Sequence, residues 1–128
     1  MISKLPKITD SRGNLTFLQY PHQVPFEIKR VFWTYNVPGG ETRGGHAYHI
    51  QEEVIIALCG SLVVVITDKN GNQERVHLNR GYESLYLPPK TWRHLENFST
   101  NSVSLHLSSS SFNTDDYILN FDEYRELK

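Results

Sequence analysis

The stretch Val54-Ile-Ile-Ala-Leu-Cys-Gly-Ser-Leu-Val-Val-Val-Ile-Thr-Asp-Lys-Asn-Gly-Asn-Gln73 decides the fold. Gly60-Ser61 separates two apolar runs rich in β-branched residues, and a polar break around Asn70-Gly71 follows the second run. Such runs are typical of buried strands. Asn-Gly is a strong hairpin signal, because a type I′ turn needs two residues that tolerate positive φ. The sequence therefore predicts that residues 61–67 pair antiparallel with residues 73–78.

Other strand patterns lie on both sides of this hairpin. They are rich in aromatic and β-branched residues and are bounded by proline, glycine or polar segments. We expect a long strand at residues 26–37 and shorter strands at 83–87, 92–96 and 102–107. In the last of these, alternation predicts that the apolar residues point inward and that serine and histidine point outward. Repeated short strands with turns between them are typical of a sandwich or barrel.

The C-terminal segment breaks the strand pattern. One or two short helical turns against the barrel are predicted there, because cap-type residues precede side chains at a helical spacing: Tyr117, Ile118, Phe121 and Tyr124. The expected fold class is all-β, an antiparallel barrel with a short C-terminal helical segment. A chain of 128 residues fits one domain over residues 1–128.

Charge and composition narrow the choice of partners. Thirteen basic and fourteen acidic residues leave a net charge of −1, so the strong positive field of a nonspecific nucleic-acid binder is missing. No segment has the apolar core of a signal peptide or the roughly 20 apolar residues that cross a bilayer. The single cysteine, Cys59, lies in an apolar run, which predicts a buried, inert thiol in a reducing compartment. We expect a cytoplasmic protein with a small partner, and neither nucleic-acid nor membrane binding.

A polar stretch, Thr42-Arg-Gly-Gly-His-Ala-Tyr-His-Ile-Gln-Glu-Glu53, precedes the first apolar run. On a strand, His46 and Tyr48 share one face, and His49 points to the other. Four nitrogen or oxygen ligands on one face would form a zinc or iron site. The pattern resembles the first cupin motif, in which two histidines spaced by one residue precede a carboxylate and a glycine. Here the second histidine position holds Tyr48.

The second half of such a site is expected within residues 81–97, where Arg93 best fits the remaining ligand position. An arginine is permanently charged and does not bind a metal. A site of His46, Tyr48, Glu53 and Arg93 therefore suits an anionic or oxygen-rich organic ligand, and we expect no metal. Each of these residues taken alone has an ordinary structural explanation, so only their combination indicates a site.

Six short motifs occur in order along nearly the whole chain: Asp10-Ser-Arg-Gly-Asn-Leu15, Pro25-Phe-Glu-Ile-Lys-Arg-Val31, Arg43-Gly-Gly-His-Ala47, Trp92, Asn97-Phe-Ser99 and Asp116-Tyr-Ile118. In these motifs the chain resembles the WxcM-like (FdtA/QdtA-type) sugar 3,4-ketoisomerases, cupins that act on dTDP-4-keto-6-deoxyhexoses. The resemblance implies a small antiparallel jelly-roll barrel that forms a homodimer and uses no metal or other cofactor. It also implies conversion of the 4-keto sugar to the 3-keto sugar through an enediolate, on the route to 3-amino-3,6-dideoxy sugars of surface polysaccharides.

The same resemblance implies roles for individual residues. His46 matches the first histidine of the family motif and is the expected general base, because a neutral imidazole is available at neutral pH. Tyr48 stands where the family pattern has a second histidine, and we expect it to donate a hydrogen bond or relay a proton. Arg93 would stabilise the enediolate oxygen. The expected substrate-binding residues, whose arginines would grip the diphosphate, are Arg12, Arg30, Arg43, Glu53 and Trp92.

Three alternatives remain open at the level of sequence. The first is a non-catalytic cupin that binds a nucleotide sugar, which the tyrosine at position 48 motivates. The second is a metal-dependent cupin enzyme that uses His46, His49, Glu53 and His94. The third is an epimerase that acts on the same class of nucleotide sugar.

Overall fold

The computed structural model of the chain describes residues 2–127. Twelve short strands and one α-helix make up most of this range, and a 3-10 turn at Thr114–Asp116 precedes the last strand. The elements are β1 (Ile2–Lys4), β2 (Lys7–Asp10), β3 (Gly13–Thr16), β4 (Arg30–Tyr35), β5 (Arg43–Tyr48), β6 (Glu53–Cys59), β7 (Leu62–Thr67), β8 (Gln73–Leu78), β9 (Glu83–Leu87), β10 (Trp92–Glu96), β11 (Val103–Ser108), β12 (Tyr117–Ile118) and α1 (Phe121–Glu126).

Two five-stranded antiparallel sheets form the barrel. The first has the strand order β1-β9-β6-β11-β4, and the second has the order β12-β5-β10-β7-β8. Apart from β7 and β8, strands that are neighbours within these two sheets are not consecutive in sequence, as in a jelly roll. The predicted all-β fold with a short C-terminal helix is therefore confirmed. No helix within residues 2–127 has the length and apolar character needed to span a bilayer.

An apolar core fills one end of the space between the sheets. It draws on strands of both sheets, and its buried members are Ile55, Ala57, Leu62, Val64, Val76, Leu78, Leu85, Leu87, Leu95 and Phe98. Burial of each valine, leucine, isoleucine or phenylalanine side chain contributes on the order of 1.5–3 kcal/mol. The other end of the same space is lined mainly by polar and aromatic side chains, so the core anchors the strands and leaves a cavity beyond it.

A second apolar layer covers the outer face of the first sheet. Val24 and Phe26, from the segment ahead of β4, pack with buried residues of β6 and β11 such as Val54 and Leu107. Both faces of these two strands are therefore buried. This arrangement corrects the predicted orientation of β11: the expected outward residues Ser104 and His106 are buried, and His106 lines the cavity between the sheets.

The predicted hairpin of β7 and β8 is confirmed, with register from Leu62 opposite Leu78 to Thr67 opposite Gln73. The predicted turn type is wrong. Only Gly71 of the Asn-Gly pair has a positive φ, at +87°. The connection between β7 and β8 covers residues 68–72 and is longer than a two-residue hairpin turn. The Asp68 carboxylate stabilises it by accepting hydrogen bonds from the backbone N–H groups of Asn70 and Asn72, both at 2.9 Å.

Several other boundaries differ from the prediction. The strand expected at residues 26–37 is limited to β4, because Phe26 turns into the outer apolar layer and Asn36 adopts a left-handed φ of +57°. Tyr117 and Ile118, expected in a helical turn, form a strand that pairs with β5. Cys59 is exposed rather than buried, because β6 ends there at a surface turn. The strands predicted at 83–87 and 92–96 are confirmed.

The hairpin of β2 and β3 forms a separate two-stranded sheet. Its strands pair from Lys7 opposite Thr16 to Asp10 opposite Gly13. Ile8 and Leu15 face solvent, with 55% and 56% of their surface exposed. An isolated two-stranded hairpin is marginally stable in water, so this hairpin is an arm with an uncovered apolar side.

Candidate active site

A cavity of about 370 Å³ lies between the two sheets. Its wall combines residues of β4, β6 and β11 from one sheet with residues of β5, β10 and β12 from the other. The lining consists of Phe32, Trp33, Thr34, Arg43, Gly44, His46, Tyr48, Glu53, Arg93, Leu95, His106 and Tyr117. A partly apolar pocket with a few convergent polar groups is the usual form of a small-molecule site.

His46 projects from β5 into this cavity, directly opposite Arg93 on the paired strand β10. Its Nε2 atom is buried and has no hydrogen-bond partner within residues 2–127. Burial and the positive charge of Arg93 lower the pKa of His46 to about 4. The imidazole is therefore neutral at neutral pH, with a nitrogen that is ready to accept a proton from a bound molecule.

Arg93 is the largest side chain that is fully buried, with 1% of its surface exposed. Its Nη1 donates to Glu53 Oε1, and its Nε donates to the carbonyl oxygen of Thr91 at 3.1 Å. The guanidinium lies over the ring of Tyr48, 5.0 Å from the ring centroid. Nη2 is buried without a partner in the described chain. A permanent positive charge with one unused donor is thus held at the cavity wall, where it can stabilise an anionic oxygen.

Glu53 links this arginine to a histidine on the neighbouring strand. Its second oxygen, Oε2, contacts His106 Nδ1 at 3.0 Å. Burial alone would raise the pKa of Glu53, but the charge of Arg93 and the contact with His106 lower it to about 2. Glu53 is thus an ionised carboxylate with both oxygens occupied, so it positions Arg93 rather than offering an oxygen to a ligand.

Tyr48 belongs to an aromatic cluster with His46 and Tyr117. The three ring centroids lie 4.7, 4.8 and 5.2 Å apart. Burial and the negative charge of Glu53 hold the pKa of Tyr48 above its usual range. The phenol therefore stays protonated and can donate a hydrogen bond, but it does not replace a histidine as a base.

The structure brings five of the eight predicted site residues to the cavity: His46, Tyr48, Glu53, Arg93 and Arg43. Arg30 lies beside it on β4, with its guanidinium between the rings of Phe32 and Phe112, at 5.0 and 5.3 Å. Its Nη2 donates to Gln51 Oε1 at 3.0 Å.

Two predicted substrate-binding residues lie elsewhere in the single chain. Trp92 points away from the cavity, because it alternates with Arg93 on β10, and it packs against Phe121 and Tyr124 of α1. In the single chain it does not line the cavity, and its expected role in substrate binding stays a prediction. Arg12 is at the tip of the β2–β3 hairpin, 89% exposed and paired with Asp10 at 2.8 Å.

The four residues of the metal-dependent alternative do not meet. His49 is exposed at the end of β5, and His94 lies on the outer face of β10, where it contacts Glu96 at 2.7 Å. Between residues 2 and 127, no group of three or more His, Cys, Asp or Glu side chains is placed to hold a metal ion.

Sequence reasoning did not identify seven residues of the cavity wall as site residues: Phe32, Trp33, Thr34, Gly44, Leu95, His106 and Tyr117. Alternation on β11 predicts that His106 points outward, because the apolar residues of this strand are expected to mark its inner face. The motif Asp116-Tyr-Ile118 contained a signal for Tyr117, since a motif shared with a family of enzymes includes site residues as well as packing residues.

The fold and the cavity together define a jelly-roll barrel of the cupin class, whose cavity holds a neutral histidine, a buried arginine and a protonated tyrosine. The chain belongs to the family described as WxcM-like, C-terminal, whose model matches residues 1–128.

Individual relatives agree with this assignment. The chain is 36% identical over 120 residues to TDP-4-oxo-6-deoxy-alpha-D-glucose-3,4-oxoisomerase of Aneurinibacillus thermoaerophilus. The matched residues cover 94% of this chain and 86% of that protein. It is also similar to the solved structure of the WlaRB TDP-quinovose 3,4-ketoisomerase of Campylobacter jejuni, with 36% identity, a TM-score of 0.93, and coverage of 99% and 97%. A histidine-to-asparagine variant of the QdtA 3,4-ketoisomerase of Thermoanaerobacterium thermosaccharolyticum, solved in complex with TDP-4-keto-6-deoxyglucose, has 31% identity, a TM-score of 0.95, and coverage of 98% and 91%.

Proposed function

We propose that this chain is a nucleotide-sugar 3,4-ketoisomerase, which converts a dTDP-4-keto-6-deoxyhexose into the dTDP-3-keto-6-deoxyhexose without a metal. The family and its 3,4-ketoisomerase relatives support the reaction class. The observation that carries the proposal is the pairing of His46 with Arg93 across β5 and β10. A neutral base and a fixed positive charge with an unused donor thereby face one cavity.

The chemistry of a 4-keto sugar needs both groups. The C4 carbonyl acidifies the proton on C3, so a base of suitable pKa can remove it. The electron pair of that bond forms a C3–C4 double bond, and negative charge develops on the C4 oxygen. Arg93 Nη2 supplies a charge-assisted hydrogen bond to such an oxygen in a buried site. The C3 hydroxyl then loses its proton, its O–H pair forms the C3 carbonyl, and the C4 oxygen gains a proton. The electrons of the double bond take the proton from the conjugate acid of His46 at C4, which completes the isomerisation.

Tyr48 serves this reaction as a hydrogen-bond donor. Its buried phenol stays protonated and lies next to His46, so it can orient a sugar oxygen. The tyrosine also motivates a second candidate function, a non-catalytic cupin that binds the same nucleotide sugar. The two functions differ in whether the protein exchanges the protons at C3 and C4 with solvent.

The test incubates the purified protein with dTDP-4-keto-6-deoxyglucose in deuterated water and follows the sugar by NMR. We expect the 3-keto product with deuterium incorporated, and we expect His46→Asn to reduce turnover by about 10²-fold or more while dTDP still binds. His49→Asn is the matched control, because His49 is exposed at the end of the same strand region. A protein that binds dTDP but yields neither exchange nor product is a binding protein, and full activity in His46→Asn removes His46 as the base.

The proposal extends to the nucleotide, the assembly and the biological setting. We assign Arg30 and Arg43, at or beside the cavity, to the diphosphate, which favours forked guanidinium donors. We propose a single domain over residues 1–128 that works as a homodimer in the cytoplasm and supplies 3-keto sugars for 3-amino-3,6-dideoxy sugars of surface polysaccharide. The uncovered apolar side of the β2–β3 hairpin supports the homodimer. Arg12 meets a substrate only if this arm lies against the cavity of a second copy.

A further inference from the structure

A line of hydrogen-bonded side chains leads from the cavity wall to Glu53. Thr34 Oγ1 and Ser104 Oγ lie 2.5 Å apart, and Ser104 Oγ lies 2.8 Å from His106 Nε2. His106 Nδ1 lies 3.0 Å from Glu53 Oε2. Thr34 and His106 both line the cavity, and Ser104 is fully buried between them. Neither hydroxyl has a role in the chemistry described above.

The ionised Glu53 fixes the direction of the first bond in this line. A carboxylate only accepts hydrogen bonds, so His106 Nδ1 carries a proton and donates it to Glu53. When Nε2 is unprotonated, it accepts from Ser104, which in turn accepts from Thr34. When Nε2 is protonated, it donates to Ser104, Ser104 donates to Thr34, and the Thr34 hydroxyl is free to donate into the cavity. The charge on His106 therefore decides whether Thr34 can give a proton to a ligand.

Among residues 2–127, the hydrogen bonds of the His106 ring leave one line along which a proton can move to the cavity. Phe32 stacks on its face, with centroids 4.5 Å apart and planes 6° from parallel. Both ring nitrogens already have partners, and Glu53 stays ionised because its pKa is low. A proton that enters or leaves His106 must therefore pass through Ser104 and Thr34.

We propose that Thr34, Ser104 and His106 form a proton relay that serves the oxygens at C3 and C4 of the bound sugar. The inference rests on the ketoisomerase function proposed above. The relay belongs to β4 and β11 of one sheet, whereas His46 belongs to β5 of the other. The two therefore approach a ligand in the cavity from opposite walls. This division lets His46 move the carbon-bound proton while the relay moves the oxygen-bound proton.

The protons and electrons balance over two steps. In the first step, His46 takes the C3 proton, the C–H pair becomes the C3–C4 double bond, and the C4 oxygen takes a proton from the relay, which leaves His106 neutral. In the second step, the C3 hydroxyl returns a proton to the relay, and its O–H pair forms the C3 carbonyl. The electrons of the C3–C4 double bond then take the proton held by His46 at C4. Both protein groups end as they began.

Replacement of the terminal hydroxyl tests the relay. Thr34→Val keeps the size of the side chain and removes the hydroxyl, so we expect kcat to fall about 10²- to 10⁴-fold, with dTDP affinity unchanged. Thr34→Ser restores the hydroxyl and should restore most of the rate, which a packing role would not predict. Ser102→Ala is the control, because Ser102 is a buried serine beside the same strand whose Oγ has no partner in the described chain.

Three results would overturn the relay. The first is that the Thr34→Val variant turns over substrate as fast as the Ser102→Ala variant. The second is that the Thr34→Ser variant is as slow as the Thr34→Val variant. The third concerns 15N NMR of the His106 ring: Ser104→Ala should shift the Nε2 resonance and Ser102→Ala should not, so an unchanged resonance in Ser104→Ala contradicts the hydrogen-bonded line. If the unsubstituted protein makes no 3-keto sugar, the ketoisomerase function itself fails and the relay fails with it. If the unsubstituted protein makes the 3-keto sugar and the Thr34→Val variant is equally fast, the relay is rejected and the ketoisomerase function stands.

Discussion

At the scale of single residues, the site combines a weakened base with a fixed positive charge. Burial, together with the same arginine that can stabilise an enediolate, lowers the pKa of His46, so the imidazole is neutral at neutral pH and binds a proton weakly. This balance suits an isomerisation, in which the proton must be returned at the neighbouring carbon. A base with a high affinity for the proton would slow that return.

The lowered pKa of His46 predicts an unusual pH profile. A general base must be unprotonated, so activity rises as the pH rises through its pKa, which is about 4 here. We expect kcat/KM at about pH 5.5 to be no more than about twofold below its value at about pH 7.5, whereas an imidazole with an ordinary pKa of about 6.5 would lose roughly tenfold at the lower pH. Initial rates of 3-keto sugar formation measure this, with circular dichroism to verify folding at each pH. An acidic limb centred near 6.5 would contradict the assignment.

Strand parity predicted which residues of β5 and β10 meet in the cavity, but not the residues behind them. His46, Tyr48 and Arg93 could be found because one polar face is distinguishable from one apolar face on β5 and β10. On β11 the same reasoning reversed the faces, since Phe26 and its neighbours cover the side that was taken for the interior. A strand that is buried on both sides carries no period that separates a core face from a site face. His106 was missed for this reason.

At the scale of elements, short connections fix the strands that carry the site. Lys90, in the loop before β10, donates its N–H to the carbonyl oxygen of Tyr48 at 2.7 Å. The hydroxyl of Tyr124 in α1 donates to the carbonyl oxygen of Lys90 at 3.1 Å. The C-terminal helix therefore supports the end of β5 from outside the barrel. Its existence could be predicted from cap residues and spacing, but this contact could not, because it joins segments far apart in sequence.

The turn between β6 and β7 predicts a sensitive glycine. Gly60 has a φ of +69°, and a Cβ there would lie 3.0 Å from Ser102 Cα and would overlap Ser99 Oγ. Because both strain and a backbone contact oppose a side chain, we expect Gly60→Ala to lower the free energy of unfolding by about 1–3 kcal/mol. Urea denaturation measures the loss. Gly39→Ala is the control, since its Cβ would meet nothing within 4 Å; equal stability of the two variants would contradict the prediction.

At the scale of the whole molecule, the β2–β3 hairpin leaves one apolar side uncovered. The β2–β3 hairpin exposes Ile8 and Leu15 and carries Arg12 at its tip, outside the cavity of its own chain. The resemblance to the family predicted both the homodimer and a role for Arg12 in binding. The two expectations are connected, because an arm that docks on a second copy would cover its apolar side and could bring Arg12 to a second cavity.

This connection predicts that assembly and ligand affinity are lost together. The chain has a mass of 14.8 kDa, and sedimentation should give about twice that value for a dimer. We expect Ile8→Asp combined with Leu15→Asp to give monomers and to weaken dTDP binding by about tenfold or more, as loss of a charge-assisted contact would. Leu58→Asp is the control, since Leu58 is similarly exposed, at 53%. If the monomeric variant binds dTDP with normal affinity, Arg12 does not contribute to dTDP binding through the dimer.

The double burial of β6 has a consequence for how this sequence can evolve. Its residues alternate between the interior of the barrel, as with Glu53 and Ile55, and the outer apolar layer, as with Val54 and Ile56. A change on the outer side moves the same backbone that holds Glu53 against Arg93. Divergence along this strand should therefore proceed through compensating substitutions in the segment ahead of β4. Attempts to retune the sugar preference by directed evolution would then find useful mutations in that covering segment, at positions that never contact the sugar.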